Sequence, residues 1–472
     1  MTSDLAQLTA QELLVGYRRG EISPLDAARA ALQAVEDHDG ALNAFVRVEP
    51  EQTLRAAAAS EQRWRAGTPL GPGDGVPTSV KDIFYTRGWP TLRGTRLIDA
   101  NRSWEEDAPC VARLRETGAV LLGKTTTPEF AWKGVTDSLR HGSTGNPRDP
   151  RLTSGGSSGG SATAVGAGMG PWSVGTDGGG SVRIPAAFTG TVAIKPTYGL
   201  VPMFPASPFG TLAHAGPMAR TVGDTALLLD VITRFDSRDW SALPAPTGSF
   251  LNGLEDGVRG LRIAFSPTLG FGHNDPGIDR LVRAAAATFE DLGAVVDEVD
   301  PGFEDPVEAF HTLWFAGAAK VLEGYGTDAA ERVDPGLRRS IEERGKISAS
   351  EFLDATAVRM DLGVRMGRFH EIYDLLLTPT LPIPAFPRNR DVPEDWHRPD
   401  WTSWTPYTYP FNMTQQPAVS VPCGFTGAGL PAGLQVVGPR HADHRVLRAA
   451  RAYERSTDWG TARPARLPAA RG

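Results

Sequence analysis

Cysteine is nearly absent: the 472 residues hold 2, Cys110 and Cys423, far apart along the chain. That excludes a disulfide framework and a cysteine-based metal motif, and it fits a reducing, cytoplasmic setting. Basic charge is outnumbered, with 48 Lys and Arg against 55 Asp and Glu and a net charge of −7. Nucleic-acid binding calls for a clustered basic footprint, so no such partner is expected. An apolar membrane run is missing too. The uncharged stretch Thr153 to Thr176 is long enough to cross a bilayer, but it is filled with Gly and Ser, which argues against a membrane helix. Met1-Thr2-Ser3-Asp4-Leu5 carries neither a basic region nor an apolar segment, so a signal peptide is not expected. No fixed-period repeat is visible.

What is present is glycine and proline. The 53 Gly and 38 Pro exceed an ordinary share, yet stay below the roughly 25–30% that marks low-complexity chains. With 40% hydrophobic and 22% charged residues, the composition is globular. Length alone would allow about three domains of ~150 residues.

Local signals point to alternating helices and strands. Thr9 to Glu12 has the spacing of a capping box, and Ser23-Pro24 pairs an N-cap with proline at the first helical position. Strands are predicted at Thr78–Asp82, Ala119–Leu122, Leu261–Phe265, Ala294–Val296, Ala418–Phe425 and Gly433–Val437. Helices are predicted over Ala162–Met169, from Asp275 to about Leu292, and over Asp443–Glu454. This order predicts an α/β fold with a sheet between helical layers. The long proline-rich stretch Pro382 to Pro406 shows no regular pattern and reads as a functional or mobile connection.

Three motifs mimic known chemistry. Gly118 to Thr125 matches a phosphate loop letter for letter, but its Ala-Val-Leu-Leu centre is strand-forming and Pro128 follows too soon for a helix. Gly155-Gly156-Ser157-Ser158-Gly159 matches a nucleophile elbow, but no apolar strand precedes it, and His214 or His444 as its histidine would be guesses. His441 and His444 sit at the predicted start of the last helix with no cysteine and no flanking acidic cluster, so no metal is expected.

The chemistry gathers in two Gly/Ser tracts, Gly155 to Ser161 and Gly175 to Pro185. Successive glycines can turn their N–H groups toward one point, forming an anion nest beside a nucleophilic hydroxyl. A tight turn beside a packed helix would use the same letters. No histidine lies near either tract, which leaves Lys81 as a candidate base. A lysine acts as base only when neutral; each unit of pKa lowering costs about 1.4 kcal/mol, which burial can supply.

These residues resemble the amidase signature family. The resemblance rests on the two tracts, on Lys195-Pro196-Thr197, on Val76 to Asp82, on Gly216 to Val222, on Leu377 to Thr380, and on Asn412 with Gly429 to Gln435. It implies a single α/β/α domain over 1–472 with a mixed, twisted central sheet. Residues 1–65 would be N-terminal helices, 70–225 the catalytic core, 235–410 a variable substrate side, and 411–472 strands and a helix returning to the core. It further implies a triad of Ser181 as nucleophile, Ser157 as bridge in a cis peptide, and Lys81 as base. Gly178, Gly179, Gly180 and Ser181 would form the oxyanion hole, with Ser158, Asp177 and Arg183 in support. No cofactor is implied. Relatives often carry a larger residue where this chain has Gly178, and the bare backbone is expected to leave room for a bulkier scissile group.

The expected activity is hydrolysis of small aryl or alkyl amides through an acyl-enzyme, with carbamate or ester cleavage as a side activity. The rival within the family is the glutaminase subunit of the tRNA-dependent amidotransferase. Leu337 to Gly345 looks more like the free-standing amidases. A phosphate-loop NTPase or a non-catalytic binding module is the outside alternative, and the chain fits a homodimer as well as a monomer. Phe204, Phe209, Trp314, Trp401 and Trp404 are the candidate substrate contacts. The aromatics of 386–410 would either pin that loop to the body or form an apolar lid.

Overall fold

Thr9 caps the helix Ala10–Arg19 through a full capping box with Glu12, and Ser23 caps the helix Pro24–Leu42 with Pro24 at its first turn. Helix starts were therefore legible from single residues. In the computed structural model, which describes residues 5–326 and 328–459, these helices pack on one large mixed sheet.

The strands are β1 (Phe45–Val48), β2 (Pro77–Lys81), β3 (Val120–Thr125), the short pair β4 (Asp137–Ser138) and β5 (Gly142–Ser143), β6 (Trp172–Asp177), β7 (Val192–Lys195), β8 (His214–Ala219), β9 (Arg262–Phe265), β10 (Val295–Glu298), β11 (Leu375–Pro379), β12 (Ala418–Phe425) and β13 (Pro431–Val437). Eleven of them form the sheet, in the order β1-β3-β2-β6-β8-β7-β12-β13-β11-β9-β10. Parallel pairs β3/β2, β2/β6, β11/β9 and β9/β10 flank an antiparallel centre running from β6 to β11.

Alternation along each strand divides the interior into two layers. Leu375, Leu377, Val419, Val421, Leu434 and Val436 face the cluster that holds Leu114, Leu228, Phe289 and Leu447. Leu376, Ala264 and Ala418 face the other way, toward Phe188, Phe310, Trp314 and Trp404. The result is a three-layer α/β/α fold, as expected.

Most predicted elements recur with shifted edges. Ala418–Phe425 is a strand over those same bounds, while the helix placed at Ala162–Met169 starts earlier, at Gly159, and ends at Gly166. Gly159 and Gly160 thus open a helix rather than a loop. The stretch Pro382 to Pro406 contains only a short 3₁₀ turn at Trp401–Trp404 and one bridge, Leu152 to Pro387.

Candidate functional site

The site lies where the strands β2 and β6 end side by side. They are parallel neighbours, so Lys81 at the end of β2 and Thr176 near the end of β6 emerge at the same edge. Ser157 and Ser158 sit just before the helix Gly159–Gly166, and the peptide Gly156–Ser157 is cis. Ser181 follows the glycines 178–180 and leads into the helix Arg183–Thr189.

Lys81 is fully buried, and its Nζ lies 2.7 Å from Ser157 Oγ, 3.0 Å from Ser158 Oγ and 2.7 Å from Thr176 Oγ1. Burial pulls its pKa well below the usual lysine range; the nearby Asp177 charge opposes that shift without cancelling it. A neutral amine has two N–H donors and one lone pair, so one of the three hydroxyls must donate to it. Ser158 is not that one, because its hydroxyl donates to the Thr176 carbonyl at 3.0 Å. Among the described residues the Ser157 and Thr176 hydroxyls have no partner besides Lys81, so either can donate. Ser157 and Ser181 line one cavity, with about 670 Å³ of empty space partly open to solvent. No hydrogen bond joins their two hydroxyls among the described residues.

Asp177 and Arg183 form a buried ion pair at 2.9 Å beneath the glycine loop. Burial alone would raise the Asp177 pKa, but the guanidinium beside it holds the carboxyl well below the carboxylate range. Arg183 also donates to Gln435 Oε1 at 2.7 Å and to Asn412 Oδ1 at 2.6 Å. Asp177 accepts from the backbone N–H of Gly180 at 2.8 Å and of Val182 at 3.2 Å. This corrects the expected oxyanion hole. The Gly180 N–H is already committed, which leaves those of Gly178, Gly179 and Ser181 without a partner among the described residues. Gly180 supplies a bend instead, with φ 128, a region that a side chain rarely tolerates.

The expectation for Gly178 also fails. A Cβ there would lie 2.8 Å from the Trp314 ring, so the indole fills the space a side chain would take and no extra room results. Phe204, Phe209 and Trp314 do line the cavity with the two serines. Phe209 stacks on Trp314 at 3.8 Å between centroids, and Trp314 Nε1 donates to the Trp132 carbonyl. Trp401 and Trp404 do not line it. Trp401 is buried edge-on to Phe310, and Trp404 stacks on Phe188 at 5.7 Å while donating to the Asp391 carbonyl. They pin the loop to the body, so Trp404→Ala is expected to cost about 3–5 kcal/mol of stability. Urea denaturation beside KM for an aryl amide checks this; a raised KM at an unchanged midpoint would restore the lid.

The mimics resolve by burial. The phosphate-loop letters form β3 itself, and Lys124 is buried against Asp82 at 2.9 Å and the Phe84 carbonyl at 2.9 Å. No histidine lines the cavity. His214 faces the Leu212 carbonyl at 2.8 Å and Lys195 at 3.4 Å, and His444 stacks on Phe250. His441 sits in a left-handed turn ahead of the last helix, Asp443–Arg455, rather than on its first turn. Roles for Thr176, Asn412 and Gln435 were not read from sequence; for Thr176 the only signal was its place directly before Asp177 at a strand end.

A family model for amidases matches residues 26–447. The chain is 37% identical over 470 residues to an acylamidase of Rhodococcus erythropolis, covering 98% of each protein. It is also 37% identical over 483 residues to one of the subunits of the glutamyl-tRNA(Gln) amidotransferase of Myxococcus xanthus, covering 96% of this chain and 98% of that one. Among solved structures, a bacterial aryl acylamidase of the amidase signature enzymes superposes with a TM-score of 0.91 at 31% identity, covering 98% of this chain and 99% of that one. The chain belongs to the amidase signature family and is a hydrolase of carbon–nitrogen bonds.

Proposed function

We propose that this protein is a free-standing amidase that cleaves aryl or alkyl amides through an acyl-enzyme on Ser181, with Ser157 as relay and Lys81 as base. One observation carries the reading: a fully buried lysine whose Nζ lies 2.7 Å from Ser157, a serine that shares its cavity with Ser181. Neutral Lys81 takes the Ser157 proton, Ser157 takes that of Ser181, and the Ser181 oxygen attacks the amide carbon. The developing oxyanion meets the N–H groups of Gly178, Gly179 and Ser181. The relay then returns the proton to the departing amine, and water cleaves the acyl-enzyme by the same path. Ser158 is a positioning residue: its own proton is held by the Thr176 carbonyl, so it presents a lone pair that orients Lys81. The rings of Phe84, Phe130, Phe209 and Trp314 along the cavity support an apolar acyl or amine group.

A panel of anilides, aliphatic amides, carbamates, esters and glutamine tests the proposal across pH. Anilides are expected to lead, with kcat/KM falling tenfold per pH unit below the depressed Lys81 pKa, because protonation removes the base. The 37% identity to an amidotransferase component makes glutamine the decisive comparison. Exclusive turnover of glutamine, or activity confined to pH above the ordinary lysine pKa, would overturn the reading.

A further inference from the structure

The cavity that holds Ser157 and Ser181 is walled by rings, aliphatic and small residues and hydroxyls, and Arg93 is the one charged residue in its lining. Its backbone is fixed. The Arg93 N–H donates to the Asp82 carbonyl at 3.1 Å, and the Arg93 carbonyl accepts from Phe130 N at 2.8 Å. Arg93 thereby sits one hydrogen bond away from the residue that follows Lys81, and it adopts φ 52, a left-handed conformation uncommon for a long side chain.

Its guanidinium has no carboxylate or carbonyl partner among the described residues. Among the described residues it makes no hydrogen bond or ion pair, its Nε is buried without an acceptor, and its nearest aromatic face is Tyr85, 5.6 Å from ring centroid to Cζ. The neighbouring carboxylate does not serve it, because Asp82 pairs with Lys124. Leaving a cation unpaired beside apolar walls is unfavourable, and a bound acceptor removes that penalty. A guanidinium is a planar fork that matches a carboxylate with two parallel hydrogen bonds.

We propose that Arg93 is a specificity-determining residue that selects amides bearing a carboxylate on the part of the substrate held in the apolar cavity. The inference rests on the amidase reading above and narrows its substrate class from aryl and alkyl amides to anionic ones. The substrate carboxylate pairs with Arg93 while its hydrocarbon portion lies against the rings, and the scissile carbonyl reaches Ser181.

The test uses the full chain, as wild type, Arg93→Gln, Arg93→Lys and Arg93→Glu, with two matched pairs of substrates. One pair places the charge on the amine side, 4-acetamidobenzoate against neutral 4-acetamidoacetophenone. The other places it on the acyl side, terephthalamate against 4-acetylbenzamide. For each protein the ratio of kcat/KM within a pair is measured, so intrinsic reactivity and any loss of folded enzyme cancel between proteins. Wild type is expected to favour the carboxylate of one pair, with that preference falling by about 10–100-fold in Arg93→Gln, the range of a charge-assisted hydrogen bond. Arg93→Lys retains part of it, and Arg93→Glu turns it into discrimination against the anion. Ratios that are the same in wild type and Arg93→Gln overturn the proposal while both neutral substrates are still hydrolysed. Hydrolysis that persists in Ser181→Ala defeats the Ser181 acyl-enzyme reading on which the inference rests, a result the ratios do not produce.

Discussion

Ser181→Ala is expected to reduce amide hydrolysis by about 10⁴–10⁶-fold, with Lys81→Ala comparably severe and the double variant no worse than either alone. The reason is that nucleophile, relay and base form one path for one proton. Removing the Ser181 oxygen leaves nothing to acylate, and removing Lys81 leaves the Ser157 proton without an acceptor among the residues around it. Intact-protein mass after mixing with an activated anilide should show an acyl adduct in wild type and none in Ser181→Ala. Turnover within tenfold of wild type in the Ser181 variant would sink the assignment. So would an adduct that maps to another residue.

Removing Arg183 should do comparable damage, through stability. Asp177, Asn412 and Gln435 converge on its guanidinium, and all three are buried. Arg183→Met leaves an uncompensated carboxylate in the interior, a loss of about 3–5 kcal/mol. The midpoint of urea unfolding at neutral pH reads this directly, and a shift equivalent to less than about 1 kcal/mol would show the pair to be dispensable. The same pair adds a pH dependence in the wild type. Because the folded state lowers the Asp177 pKa, its stabilisation is present above the unfolded carboxylate pKa of about 4 and is lost as pH falls toward the folded value.

The site was legible in sequence where chemistry is written in short tracts. Ser157 and Ser181 could be named because glycine and serine are concentrated there beyond any need of a turn, Lys81 because no histidine lies near those tracts, and the family resemblance gave all three their roles. What the loops do with those letters was not legible. Gly178 read as open space, yet the space belongs to Trp314, a residue far along the chain that only the fold brings there. Gly180 read as a donor, yet its N–H is taken by Asp177 three residues earlier, a local bond that no residue pattern announces. Trp401 and Trp404 could be read as pin or as lid, because an indole's burial depends on partners such as Phe188 and Phe310. Strands were easier: Ala418–Phe425 is mostly apolar because it lies between β7 and β13, with its first six residues buried.

That position in the sheet has a consequence for how the protein is made. The two strands latest in chain order, β12 and β13, occupy the middle of the sheet and join the half that carries Lys81 and Ser181 to the half formed by β11, β9 and β10. Asn412 and Gln435, which hold Arg183 beneath the glycine loop, leave the ribosome equally late. During synthesis the N-terminal portion therefore waits with an open sheet edge at β7, a surface prone to pair with other chains. A nascent chain stalled before β12 presents the nucleophile without the full ion-pair anchor beneath it.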